Sequence, residues 1–87
     1  MRKIWFDRAW EDYLYWQKQD KKTLRRINQL LQDAERNGYN GIGKPEPLKN
    51  DFAGWWSLRI DDTNRLVFRI ANGQLEIAQC RDHYDDK

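Results

Sequence analysis

Residues 65–79 read RLVFRIANGQLEIAQ, and this stretch predicts a β-hairpin. Apolar and polar side chains alternate on both sides of Asn72-Gly73, a dipeptide typical of a two-residue type I′ hairpin turn. With this turn, apolar residues meet on one face and opposite charges meet on the other, so the register is self-consistent. The predicted pairs are Ile70–Leu75, Phe68–Ile77, Arg69–Glu76 and Val67–Ala78.

Two further strands and two helices are predicted upstream of this hairpin. Alternation in residues 55–60 and the short apolar run at residues 3–6 indicate strands. Between them, helical spacing predicts one helix after an Asp7 N-cap and a second from an Asp20 N-cap to Asn37-Gly38. The first helix should present Trp10, Tyr13, Leu14 and Gln17 on one face, with Glu11 and Asp12 turned away. The second carries the apolar stripe Thr23, Leu24, Ile27, Leu30, Leu31 and Ala34.

These elements predict a single α+β domain over residues 1–87, with the order β-α-α-β-β-β. Two antiparallel helices pack on one face of a twisted antiparallel sheet, and the other face stays open. Residues 39–53 lack periodicity and are expected to form an ordered loop. A frayed tail is expected at residues 85–87.

Composition limits what such a domain can do. The chain has only 18 Leu, Ile, Val and Phe among 87 residues, so four of its five Trp are expected to complete the core. A net charge of +2 supports a nucleic-acid binder only weakly. The single cysteine, Cys80, excludes a disulfide framework. No apolar run is long enough to span a bilayer, and the first residues become polar too soon for a signal peptide, so a cytoplasmic protein without a membrane partner is expected.

Arg59 and Arg65 are the first candidates for a functional site. Both have the parity of the open face, and a three-residue loop at residues 61–63 places them directly opposite each other. Like charges in such a pair are destabilising. Either the two guanidinium groups splay apart into solvent, or they bind an anion such as a phosphate between them.

Glu46 and His83 are candidates for proton transfer. Glu46 stands between two prolines, so it is either incidental to a rigid surface loop or a carboxylate kept in a fixed pose. His83 is the only histidine, and its side chain type suits proton transfer near neutral pH, although a lone histidine is commonly structural. Strict alternation along the last strand turns His83 toward the helices. It therefore reaches the open face only if the chain turns or bulges after Cys80.

The remaining polar candidates each allow two interpretations. The basic run within residues 18–26 is either a solvated helix face or an RNA backbone track. Trp55 has open-face parity and either stacks on a base or fills a partner contact. Lys44 and Lys49 flank Glu46 and either contact phosphates or solvate the loop. Because no His, Cys, Asp or Glu cluster has metal-ligand spacing, these groups suit RNA cleavage through its own 2′-OH, with no metal or other cofactor.

Several stretches together match one known family. The most diagnostic are GKPEPLK at residues 43–49 and CRDHY at residues 80–84. The others are Ile4-Trp5, WEDYLYW at residues 10–16, RRIN at 25–28, GWWS at 54–57, Arg59-Ile60 and NRLV at 64–67. On these motifs the chain resembles, nearly end to end, the RelE-type toxins of bacterial toxin–antitoxin systems, and most closely their YoeB/Txe branch.

The resemblance implies a RelE-like microbial RNase fold and a ribosome-dependent endoribonuclease that cuts mRNA in the A site of the 70S ribosome. Glu46 would be the general base on the 2′-OH, and His83 the general acid on the leaving 5′ oxygen. The products would be a 2′,3′-cyclic phosphate or 3′-phosphate and a 5′-OH. The residues that would steady the phosphate are Arg65 and Arg59, and those that would position the substrate are Tyr84, Lys49 and Lys44.

The resemblance also implies partners. A cognate antitoxin of the YefM/Phd/Axe kind would fold onto the toxin and block or distort the site, and the free toxin would form homodimers. Residues 85–87 depart from the family because relatives usually end near His-Tyr. Two other functions remain open: a non-catalytic RNA- or ribosome-binding translation inhibitor, and a pure protein-interaction domain.

Overall fold

The computed structural model describes residues 1–84, so the frayed tail predicted at residues 85–87 lies outside the described residues. The helices are α1 (Asp7–Gln19) and α2 (Lys21–Asn37). The strands are β1 (Arg2–Trp5), β2 (Glu46–Pro47), β3 (Trp56–Arg59), β4 (Arg65–Ala71) and β5 (Gln74–Gln79). Single 3-10 turns occupy Gly38–Asn40 and Asn50–Phe52. Within residues 1–84, neither helix is long and apolar enough to cross a membrane.

The five strands form one sheet in the order β1-β5-β4-β3-β2, with both helices on one face. This confirms the predicted α+β class. The prediction of a wholly antiparallel sheet is wrong at one edge, because β1 runs parallel to β5. Alternation tells which face a side chain takes and not the direction of the neighbouring strand. The long connection through α1 and α2 is what permits the parallel pairing.

The β4–β5 hairpin has the predicted register at its turn end and departs from it at the other. Three predicted pairs are confirmed, namely Ile70–Leu75, Arg69–Glu76 and Phe68–Ile77. The fourth is wrong, because a bulge adds Ala78 to β5 and Val67 pairs with Gln79 instead. The extra residue reverses the alternation beyond it. Cys80 is consequently buried on the helix side, with its Sγ 3.6 Å from the Ala9 carbonyl oxygen.

The buried face of α1 differs from the predicted one. Ala9, Asp12 and Trp16 are buried, whereas Trp10 is 46% exposed and Leu14 is 39% exposed. Apolar residues occur all around this helix, so their spacing did not identify the inner face. The expectation that four tryptophans fill the core is therefore wrong for Trp10, although Trp5 and Trp56 pack against the core in partly buried positions.

The capping prediction fails for α1 and succeeds for α2. Phe6 is the N-cap residue of α1 and makes no side-chain cap, because Asp7 already belongs to the first turn. Asp20 caps α2 by accepting hydrogen bonds from the amides of Lys22 and Thr23. Hydrogen bonds from Thr23 and Lys22 lower the pKa of Asp20 below its ordinary value. The buried stripe of α2 is confirmed at Ile27, Leu30, Leu31 and Ala34.

The face of the sheet opposite the helices is not fully open. Ser57, Val67 and Gln79 share this face and are all buried. The chain just after β5 contacts this face, since the Gln79 side chain donates a hydrogen bond to the Arg81 carbonyl at 3.1 Å. The prediction of an open face is therefore wrong at these three positions.

Candidate active site

Arg59 and Arg65 are Cα partners across β3 and β4, as predicted. The Ile60 amide donates to the Asn64 carbonyl at 3.0 Å, and this hydrogen bond closes a three-residue loop between Ile60 and Asn64. The Arg65 guanidinium donates to the carbonyls of Asp61 and Asn64, at 2.7 and 3.1 Å. The Arg59 guanidinium lies 3.9 Å from a carboxylate oxygen of the fully exposed Asp62. Two like charges thus stand side by side with little neutralisation.

The loop between the two arginines is fixed by the Asp61 side chain. This carboxylate accepts hydrogen bonds from the amides of Thr63 and Asn64, at 2.9 and 2.7 Å, and from the Asn64 side chain at 3.0 Å. Partial burial alone would raise the pKa of Asp61, but the hydrogen bonds from Asn64 and Thr63 outweigh it and lower that pKa. The turn therefore fixes the carbonyl groups that hold Arg65.

Glu46 reaches the same region through a loop that requires glycine. The Gly43 carbonyl accepts a hydrogen bond from the Arg59 amide at 2.7 Å. Gly43 has φ +87°, and a Cβ there would lie 2.8 Å from the Leu30 side chain, so only glycine fits. Three residues after Gly43, Glu46 pairs with Ser57 as part of β2. This strand was not predicted, because two residues including a proline are too short to show alternation.

The candidate site is a cleft of about 260 Å³ at this end of the sheet. Its lining in the described part of the chain consists of Lys44, Glu46, Ser57, Arg59 and Arg65. One carboxylate therefore faces three cations in an open, polar hollow. That combination suits a phosphodiester with a sugar hydroxyl beside it better than an apolar ligand.

A larger hollow of about 380 Å³ lies on the helix side of the β3–β4 loop, at the start of α2. Its lining residues are Asp20, Lys22, Thr23, Arg26, Ile60 and Asp61. It contains none of the predicted proton-transfer groups, so the smaller cleft is the better candidate for chemistry. Arg26 donates to the Arg59 carbonyl at 3.3 Å, so this member of the basic run also has a structural contact.

His83 and Tyr84 follow a segment that folds back beside Arg65. The Arg65 amide donates to the Asp82 carbonyl at 3.0 Å. The bulge at Ala78 reverses the alternation before Cys80 rather than after it, and Asp82, at φ +65°, then turns the chain. His83 is exposed, and its ring lies 4.7 Å from that of Tyr84. The condition under which His83 leaves the helix side is therefore met, and His83 stands one residue from a backbone contact with Arg65.

Not every predicted residue lies at the cleft. His83 and Tyr84 are outside its lining, although the Tyr84 ring is 6.4 Å from that of Phe52 in the loop after β2. Lys49 is exposed on that same loop. Trp55 lies four residues before Arg59, roughly 13 Å away along extended chain. Its ring packs under the Arg69 guanidinium at 4.2 Å and against the Phe6 ring at 5.4 Å.

Two cleft-side residues were not among the sequence candidates. Ser57 lines the cleft, is only 3% exposed and pairs with Glu46. Ser57 shares the parity of Trp55 and Arg59 along the strand, and this was the sequence signal that could have identified it. The Asn64 side chain accepts a hydrogen bond from the Asp82 amide at 2.7 Å, and no local sequence pattern predicts this contact.

Nearly the whole chain matches one protein family. A family model described as the YoeB-like toxin of bacterial type II toxin–antitoxin systems matches residues 5–84. The chain is 48% identical over 84 residues to Toxin YoeB of Escherichia coli (strain K12), which covers 97% of this chain and 100% of that protein.

Solved structures match the fold. The YoeB/ParE toxin from Agrobacterium tumefaciens aligns with a TM-score of 0.94 and 44% identity, over 97% of this chain and 100% of that one. Two Staphylococcus aureus structures, a heterotetrameric YoeB–YefM toxin–antitoxin complex and a YoeB dimer, each align with a TM-score of 0.90 and 42% identity. Each covers 97% of this chain and 98% of the matched chain.

Proposed function

Since the chain belongs to the YoeB-like toxins of bacterial type II toxin–antitoxin systems, we propose that it is a ribosome-dependent endoribonuclease that cuts mRNA in the decoding site. The observation that carries the proposal is the cleft itself, where the Glu46 carboxylate shares one hollow with Arg59 and Arg65. His83 supports it from the adjoining segment, one residue beyond the backbone contact with Arg65.

The proposed reaction is an internal transesterification. Glu46 takes the proton from the 2′-OH, and the 2′ oxygen attacks the neighbouring phosphorus. The bond from phosphorus to the 5′ oxygen breaks as His83 gives that oxygen a proton, which leaves a 2′,3′-cyclic phosphate and a 5′-OH. Arg59 and Arg65 stabilise the negative charge that grows on the phosphate oxygens. Lys44 and Tyr84 position the RNA.

The ribosome is part of this proposal for an electrostatic reason. A net charge of +2 gives the free protein little attraction for RNA by itself. A toxin that binds mRNA inside the ribosome needs less electrostatic attraction for RNA, because the ribosome already holds and orders the strand. We accordingly expect a cytoplasmic protein that is restrained by a YefM-like antitoxin and forms a homodimer when free. The Staphylococcus aureus relatives form such assemblies.

A second candidate function is translation inhibition by binding alone. Four exposed basic side chains favour this function. They lie at the end of α1 and in the first turns of α2, namely Lys18, Lys21, Lys22 and Arg25. An experiment with purified protein distinguishes the two functions. The protein is added to programmed ribosomes in one sample and to the same mRNA without ribosomes in another. The nuclease cuts only the ribosome-bound mRNA, whereas a binding protein stalls translation and leaves the mRNA intact.

A further inference from the structure

A buried acid in α1 contacts the chain just before His83. Asp12 is only 4% exposed. Both of its carboxylate oxygens accept from the Arg8 Nε at 3.1 Å, and one also accepts from the Cys80 amide at 3.1 Å. A buried carboxylate is tolerated only when paired and hydrogen-bonded in this way. The three groups therefore form one connected unit between α1 and the end of β5.

Arg8 extends this unit to the segment that carries His83. Its Nη2 donates to the Arg81 carbonyl at 2.9 Å and lies 3.3 Å from an Asp82 carboxylate oxygen. One planar guanidinium thus holds the buried acid with its Nε and the following segment with its Nη2. The fork geometry of arginine makes this double contact possible.

Asn64 holds the same segment from the opposite side. Its side-chain oxygen accepts from the Asp82 amide at 2.7 Å, while its side-chain nitrogen donates to Asp61 at 3.0 Å. The neighbouring Arg65 amide donates to the Asp82 carbonyl. The backbone of Asp82 is therefore fixed at both its donor and its acceptor. Its φ of +65° is unfavourable for a non-glycine residue and persists because these contacts hold it.

We propose that Arg8, Asp12 and Asn64 are positioning residues that hold Arg81-Asp82, and thereby His83, in the segment that lies beside Arg65. The inference rests on the proposed nuclease function. His83 belongs to no helix or strand, so its place is set by the contacts of the residues before it. A general acid must stay within hydrogen-bond reach of its leaving group, and a misplacement of about 1 Å costs up to about 100-fold in rate.

Arg8→Lys is the variant that separates positioning from folding. Removing the charge of Arg8 would leave Asp12 buried without its counter-ion and would damage the fold. Lysine keeps that charge near Asp12, but its single ammonium group cannot also span to Arg81. Asn64→Ala releases the segment from the other side. Glu35→Gln is the matched control, because it breaks an ion pair with Lys3 that joins α2 to β1 away from the cleft.

The first measurement is single-turnover cleavage of mRNA on programmed ribosomes at rising toxin concentration. For Arg8→Lys and Asn64→Ala we expect the saturated rate to fall about 10- to 100-fold, with the half-saturating concentration within about twofold of the wild type. Thermal unfolding of Arg8→Lys stays close to that of the wild type, and Glu35→Gln cuts normally. Wild-type cleavage by Arg8→Lys would overturn the inference, as would a loss of rate accompanied by weaker saturation.

A second measurement needs no ribosome. Amide hydrogen exchange at Asp82 and Arg65 should accelerate in Arg8→Lys, while exchange at Phe68 in the sheet centre is unchanged. Unaltered exchange at Asp82 would refute the positioning role even if cleavage fell. Should the wild-type protein fail to cut mRNA, the proposed function fails by itself, and hydrogen exchange alone then decides whether these residues hold the segment.

Discussion

Arg65 stands directly across the sheet from Arg59, so two guanidinium side chains leave the same face of neighbouring strands. Directly opposed like charges destabilise a sheet. Four residues farther along β4, Arg69 instead faces Glu76 on β5, with 2.5 Å between Nε and the carboxylate oxygen. The same face therefore contains one pair that favours folding and one that opposes it. The opposed pair is the one that lines the cleft.

The first prediction follows from that contrast. Arg59→Gln should leave the free energy of unfolding equal to or above that of the wild type, because it removes a repulsion. It should also lower cleavage of ribosome-bound mRNA by about 100-fold or more, since it removes a group proposed to stabilise the transition state. Urea unfolding at low salt and single-turnover cleavage measure the two effects. The stability control is Arg69→Gln, which loses an attraction and should be less stable than the wild type.

The second prediction concerns Trp16. Its indole nitrogen donates to the Cys80 carbonyl at 2.8 Å in a buried position. Trp16→Phe leaves that carbonyl without its partner and should lower the free energy of unfolding by about 1–3 kcal/mol. Trp10→Phe is the control: with Trp10 46% exposed, the change should be within about 0.5 kcal/mol. Equal losses in the two variants would contradict this account of the core.

The third prediction concerns the Cys80 thiol. Burial, together with the nearby Asp12 charge, raises its pKa to about 12. The thiolate is the reactive form, so the native protein should resist a disulfide reagent at about pH 8. After unfolding in guanidinium, the same thiol should react at the rate of a free cysteine. Rapid labelling of the native protein would show that the segment after β5 opens readily.

The fourth prediction is a dependence of stability on pH. Asp20, Glu35 and Asp61 all have lowered pKa values in the folded protein. Each therefore contributes stability that is complete above its unfolded pKa and is lost as the pH falls through the folded one. For Asp61, whose ordinary pKa is 3.8, the difference in unfolding free energy between the wild type and Asp61→Ala should shrink below about pH 4. A difference that stays constant into strong acid would contradict it.

Much of the sheet could be predicted because its information is local. Period-two alternation assigns each side chain to a face, and the turn at Asn72-Gly73 sets the register of β4 against β5. The length of the β3–β4 loop then places Arg59 opposite Arg65. Part of the candidate site could be predicted for the same reason, because a carboxylate on a stiff loop and two arginines on one face are visible in the sequence.

The remainder depended on contacts between distant parts of the chain. The burial of Asp12 is compensated by the Cys80 amide, 68 residues away in sequence, and no helical pattern reveals that. The bulge at Ala78 adds one residue inside an otherwise regular strand, so alternation alone cannot assign a face to the residues that follow it. The role proposed for His83 comes from the family resemblance, and the turn at Asp82 that precedes it has no signal in the alternation.

Mapping RNA ends in a translating extract shows whether the Glu46 cleft cuts ribosome-bound mRNA. The wild type and the control Glu11→Gln, changed at an exposed acid of α1, should produce new 5′-OH ends within translated codons, with a cyclic phosphate or 3′-phosphate upstream. Glu46→Gln should bind and slow ribosomes yet produce few or no such ends. Translational arrest by the wild type without new RNA ends, or wild-type cutting by Glu46→Gln, would contradict the claim.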